Sequence, residues 1–223
     1  LNVIQLGPFI LNVELLIFLA SSVAGYLALQ YRLRSAAVEG DIANKFVNAL
    51  IIGFFTWKFS PIIFDPVSII QHPISLLYFN GGDRGIVLAI TLSILYLWIR
   101  TRKDGSSITM TLDVMSVGWI AGSSVYHLLT MTVDSTNVLF HSLYVVVNVM
   151  LVMFLYYKKE VVGNPAVLNR GLTWYSLGMI AIFFTQADRS FLVMGFTKEQ
   201  IFFFIVLIIA IYTDYVFDKK KRL

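Results

Sequence analysis

The 223-residue chain is 58% hydrophobic and only 13% charged, with a mean hydropathy of +0.78 and no cysteine. A soluble domain has roughly 45–50% apolar and about 25% charged residues, so a secreted, nucleic-acid-binding or disordered protein is excluded. The lack of cysteine removes thiol nucleophiles, disulfides and Cys-based zinc sites, and His72, His127 and His141 show no metal-ligand spacing. No metal or cofactor is expected. The net charge of +4 reflects the Lys/Arg excess that holds cytoplasmic loops on their side, and it does not point to nucleic acid.

Charges act as bookends for apolar stretches. A bilayer core needs about 20 mostly apolar residues per helix. Seven spans are therefore predicted, at about 9–31, 45–64, 85–100, 111–132, 137–157, 171–187 and 199–217. Residues 1–30 lack a basic start and run into Arg32 and Arg34, a stop-transfer pattern and not a cleaved signal peptide. Glu14, one turn inside the first span, reads either as a headgroup-level carboxylate or as a functional acid. Lys58, in the second span, reads as snorkelling to lipid phosphate or as facing a substrate.

The segment Asp65–Arg84, DPVSIIQHPISLLYFNGGDR, is broken by prolines and glycines yet too apolar for a solvated loop. It is expected to lie at the headgroup level, as an outer interfacial segment between the second and third helices. Within FNGGDRG, residues 79–85, the pair Gly81 and Gly82 lets backbone approach a ligand, and Arg84 adds positive charge at a helix start. An anionic lipid headgroup fits such a place, as does a tight turn with an interfacial arginine.

The fourth span carries Asp113 at one end and Tyr126 and His127 toward the other. The fifth is the cleanest, with no charge between Asp134 and Lys158. Its His141 and Tyr144 share a face. That pairing suits proton transfer or an interhelical hydrogen bond. Asp188 and Arg189 close the sixth span and can pair with each other, and the Phe202–Phe203–Phe204 run reads as lipid-facing or packing.

Alternate ends differ sharply in basic residues. One set holds Arg32, Arg34, Lys45, Arg100, Arg102, Lys103, Lys158, Lys159, Arg170 and the tail Lys219–Arg222, the other only Arg84, Arg189 and Lys198. The first set is therefore expected in the cytoplasm, which puts the N-terminus outside and the C-terminus inside. The fold class expected is an all-α integral membrane protein of seven transmembrane helices. No repeat or boundary is visible, so residues 1–223 read as a single transmembrane domain.

Taken in order, LGPFILNVELL, GFFTWKFSPIIFDPVSII with FNGGDRG, LDVMSVGWIAGSS, LFHSLYVVV and the stretch from Asn169 to Ile209 resemble segments of the bacterial prolipoprotein diacylglyceryl transferase family. The resemblance covers nearly the whole chain at scaffold level, and it implies seven helices in the bacterial cytoplasmic membrane. It further implies transfer of a diacylglyceryl group from phosphatidylglycerol to a lipoprotein cysteine. On this likeness His141, Glu14 and Tyr144 would be catalytic, while Gly81, Gly82, Arg84, Lys58 and Arg189 would hold the lipid headgroup. Asp113 and Gln200 also match family positions. Family positions bearing charge or a hydroxyl fall instead on Phe55, on Ser123 or Ser124, on Val145 and on Thr185.

Two function classes follow. One is a divergent lipid-group transferase that uses membrane phospholipid and a protein acceptor. The other is a catalytically degenerate relative that binds lipid, lipoprotein or another membrane protein. A small transporter or channel is disfavoured, because no span carries the paired charges or broken helices of a mid-membrane site.

Overall fold

The expected apolar stretches fold as helices. The computed structural model describes residues 3–6, 9–35, 41–74, 76, 81–157, 162–187 and 189–222. In chain order it contains β1 (Val3–Leu6), β2 (Phe9–Asn12), α1 (Val13–Ser35), α2 (Ile42–Phe59), α3 (Pro61–Phe64), α4 (Pro66–Gln71), α5 (Gly82–Lys103) and α6 (Ile108–Thr130). There follow α7 (Val138–Tyr157), α8 (Pro165–Ile182), a 3₁₀ turn (Phe183–Thr185), β3 (Phe191–Val193), β4 (Phe196–Thr197) and α9 (Lys198–Arg222). Lys158, Lys159, Asp188, Phe79 and Asn80, each used in the sequence reading, lie outside the described residues.

Among the described residues, five helices are long and apolar enough to cross a membrane: Val13–Arg34, Ile42–Phe64, Gly82–Lys103, Ile108–Thr130 and Val138–Tyr157. The sixth and seventh expected spans are helical but fall outside that group. Asn169 and Arg170 make the first half of α8 polar.

Helix ends differ from expectation for local reasons. The first helix begins at Val13, because the residues before it form an antiparallel hairpin in register from Val3↔Asn12 to Leu6↔Phe9. The third helix is longer than the expected 85–100, since α5 runs 22 residues and places Arg84 and Arg100 within its terminal turns. The sixth helix starts early, where Asn164 accepts from Ala166 N–H (2.9 Å) and Pro165 takes the first turn. An Asn cap followed by proline is a strong helix start.

The chain forms two compact units, one of Leu1–Val38 with Leu112–Leu223 and the other of Glu39–Thr111. The division falls in the first turns of α6, with no composition change to mark it in the sequence.

In the first unit small residues let helices approach closely. A Cβ at Gly25 would meet Gly118 O at 2.7 Å, and one at Gly122 would meet Ser21 O at 2.9 Å, so α1 and α6 cross backbone to backbone. Lipid tails are as apolar as leucine, so such close packing and interhelical hydrogen bonds replace the hydrophobic drive. Val117 and Ile120 of α6 pack with Leu151 and Leu155 of α7, and Phe140 of α7 packs with Met179 and Ile182 of α8. Asn169 of α8 donates to Ala210 O of α9 (2.7 Å) and accepts from Thr213 (3.0 Å).

At the C-terminal end of α1, Arg32 is fully buried. Its guanidinium donates to Asp113 Oδ1 (3.0 Å) and to Leu155 O (2.8 Å), and lies 5.6 Å from the Tyr156 ring centre. Asp113 Oδ2 accepts from Gly163 N–H at 2.8 Å. This knot joins one end of α1, α6 and α7 to the segment entering α8.

In the second unit α2 and α5 pack as an antiparallel pair. Ser93 donates to Ala49 O (2.9 Å), and buried Lys45 reaches Asp104 (3.3 Å) and Ser106 (3.0 Å). At the opposite end a Cβ on Gly81 would overlap the Ser60 hydroxyl, and Gly81 N–H donates to Trp57 O (3.1 Å).

Candidate functional site

The seven-residue connector 131–137 turns α6 back against α7. His127 stands three residues before the end of α6 and His141 three after the start of α7, so an antiparallel hairpin brings them level. Their Nδ1 atoms are 2.7 Å apart. At that distance one ring must donate and the other accept, so a single Nδ1–H is shared.

Asp134 lies on the far side of His141, its Oδ2 3.6 Å from Nε2. The connector holds this carboxylate firmly. Oδ1 accepts from the Thr136 hydroxyl (2.6 Å), Thr136 N–H (2.9 Å) and Asn137 N–H (3.3 Å), and Oδ2 accepts from the Asn137 amide (2.9 Å). These bonds, the Thr136 hydroxyl foremost, hold the Asp134 carboxyl well below the usual carboxylate range. Asn137 Oδ1 in turn accepts from Ala187 N–H (3.0 Å), which ties the connector to the segment after α8.

Tyr144 stacks on His127 with ring centres 3.7 Å apart, and its hydroxyl meets that of Tyr175 at 3.3 Å. Phe140 closes a further side of His127 at 5.9 Å. Deeper along the same helices, buried Asn148 donates to Ser123 Oγ at 2.8 Å. Asn148 Oδ1 and Ser176 Oγ are buried without a hydrogen-bond partner among the described residues. A polar seam thus runs between α6, α7 and α8; α6 and α7 are apolar enough for lipid, where each polar group is expensive.

The sequence reading picked out His141 and Tyr144, and they stand in this cluster. It noted His127 without pairing it to His141, and passed over Asp134 and Tyr175. The equal offsets of the two histidines from a short connector were the available signal.

Glu14 is exposed in the first turn of α1. The Ser21–Gly122 and Gly25–Gly118 approaches step antiparallel by four residues, which sets Glu14 at the height of Leu129, near the level of His127. Arg189, also in the first unit, lays its guanidinium 5.5 Å from the Phe191 ring centre.

The remaining headgroup candidates belong to the second unit. Gly81 has its N–H committed to Trp57 and Gly82 has a φ of +53° that favours glycine. Arg84 is exposed and Lys58 is half-buried. Gln200 is spent on structure: with Thr197 it forms a capping box, accepting from Thr197 N–H (3.0 Å) and donating to Ile180 O (3.2 Å).

An all-α chain with five helices of membrane-crossing length and apolarity among its described residues is a multi-pass membrane protein. No family model matches the chain, and no curated protein is found that matches it.

Proposed function

We propose that the chain performs acid–base chemistry on a membrane phospholipid, as a divergent relative of the prolipoprotein diacylglyceryl transferases in the bacterial cytoplasmic membrane. The observation that carries this reading is the 2.7 Å Nδ1–Nδ1 contact of His127 and His141 with Asp134 behind it. With His141 Nε2–H turned to Asp134, its Nδ1 accepts from His127 Nδ1–H. His127 Nε2 then carries a lone pair. A proton taken there is matched by passage of the Nδ1 proton to His141. His127 ends neutral, and the imidazolium forms on His141 beside the carboxylate.

In a transfer, a thiol gives its proton to His127 Nε2 and the sulfur attacks the glycerol carbon. The C–S bond forms as the C–O bond to phosphate breaks, and glycerol phosphate leaves as the anion. Arg189, in the same unit as the histidines, is the cation proposed for the phosphate group; Gly81, Gly82, Arg84 and Lys58 of the other unit are proposed separately as a lipid-headgroup loop. Tyr144 orients His127 by stacking, and Glu14 is a second proton carrier.

One observation favours a degenerate, lipid-binding role. Ser123 and Ser124, at one of which the family resemblance would place an arginine, both donate to Ile120 O (3.1 and 2.8 Å), and Ser123 also accepts from Asn148. Thr185 likewise donates to Ile182 O at 2.8 Å.

The test uses purified protein in nanodiscs with labelled phosphatidylglycerol and a cysteine peptide acceptor. Transfer by the wild type that falls about 10²–10⁴-fold in His127→Ala supports the acid–base reading. Binding without transfer selects the degenerate reading. Neither binding nor transfer overturns both.

A further inference from the structure

The β3–β4 hairpin displays apolar side chains on a firmly held base. Phe191, Leu192, Val193 and Met194 are 62%, 66%, 54% and 92% exposed. Met194 adopts a φ of +51° and Gly195 one of +82°, so the turn holds a bulky side chain outward in a conformation non-glycine residues rarely take. The base is fixed by the buried Thr197–Gln200 capping box and by Phe196, whose ring packs against Phe184 (6.0 Å) and Phe204 (5.3 Å).

We propose that this hairpin is a membrane anchor, its tip Leu192–Met194 set into the interfacial layer of the bilayer. The bilayer is the occupant because both helices flanking the hairpin expose apolar side chains as well. Leu172, Trp174 and Leu177 of α8 and Phe202, Ile205, Ile208 and Ile209 of α9 are all exposed. Charge agrees with that placement. Arg189 stands at the hairpin's entry over Phe191 and Lys198 at its exit, as cations do at the phosphate layer above an apolar wedge. The proposal rests on α8 and α9 crossing the membrane. It goes beyond the transfer reading, since it gives this segment a role whether or not the chain is an enzyme.

The chain has no cysteine, so Met194→Cys, Leu192→Cys and Ile208→Cys each give one labelling site. Each variant is labelled with an environment-sensitive fluorophore and reconstituted into vesicles of phosphatidylcholine and phosphatidylglycerol. The labels at 192 and 194 are expected to shift to shorter wavelength, to be quenched by lipids bearing a nitroxide near the headgroup, and to resist aqueous iodide. The label at 208 should be quenched by a nitroxide deep in the chain. Iodide quenching at 192 and 194 without nitroxide quenching, while 208 remains lipid-quenched, overturns the anchor and leaves the spans standing. Loss of lipid quenching at 208 overturns the span reading, and the anchor with it.

Discussion

At the residue scale, the chain's costliest groups are paired across helices. Arg32 and Asp113 are both fully buried, and Leu155 O and Gly163 N–H each add a hydrogen bond to the pair. Removing one partner of a buried pair leaves an uncompensated charge, which costs about 3–5 kcal/mol. Asp113→Asn should lower unfolding stability in mild detergent by that order. Arg32→Met with Asp113→Leu should cost less than the sum of the two single changes. Asp134 behaves differently, being held at the surface by its own connector. Its carboxyl lies below the usual range, so the stability it adds is present above the unfolded value of about 3.9 and is lost as pH falls through its lower folded value. Asp134→Asn should flatten the acid limb of unfolding; an unchanged acid limb would show that the connector bonds do not form. Asp113, His141 and Tyr144 were legible as singletons in apolar helices. Their partners were not, because Arg32 counts equally well as a loop charge, and a pair that joins two helices is invisible within either span.

At the element scale, small residues decide which helices touch. Ser21-xxx-Gly25 and Gly118-xxx-Gly122 are the sequence traces of the α1–α6 crossing, readable as small residues four apart. Gly25→Ala would press a methyl onto the Gly118 carbonyl and should destabilise by about 1–3 kcal/mol. Gly171→Ala meets only Leu155 Cδ2, at an ordinary 3.8 Å, and should be neutral or stabilising by about 0.4–1 kcal/mol. Equal effects in thermal unfolding would refute the close crossing. Helix identity was legible because apolar runs between charges are long. Helix ends were not, since they depend on local bonds such as the Asn164 cap and on the Val3–Asn12 hairpin.

At the scale of the whole molecule, all seven apolar stretches fold as helices, and among the described residues five have membrane-crossing length and apolarity. Two basic residues of the heavily charged set, Arg32 and Lys45, are buried and paired, and the expected sidedness then rests on Arg34, Arg100, Arg102 and Lys103. A tag after residue 223 should therefore be protected in sealed right-side-out vesicles, and one placed within 66–74 should be accessible; the reverse pattern would overturn the seven-span topology. On the proposed kinship with the transferases, Phe55, Ser123 or Ser124, Val145 and Thr185 stand where charged or hydroxyl groups would fall, and this bears on turnover. Removing one preorganised donor costs about 10²–10³ in rate, so the chain should fail to replace an authentic diacylglyceryl transferase in a depleted cell. Rescue that depends on His127 would show that other cations substitute fully.

The central claim is that His127 and His141 share one proton, and nitrogen NMR reads this directly. The chain has three histidines, so ¹⁵N-histidine-labelled protein in nanodiscs gives three imidazole spin systems. A scalar coupling between two Nδ1 nuclei across one hydrogen bond is expected, abolished in His127→Gln with His72 unchanged. Three imidazoles with no coupling between them would contradict the relay.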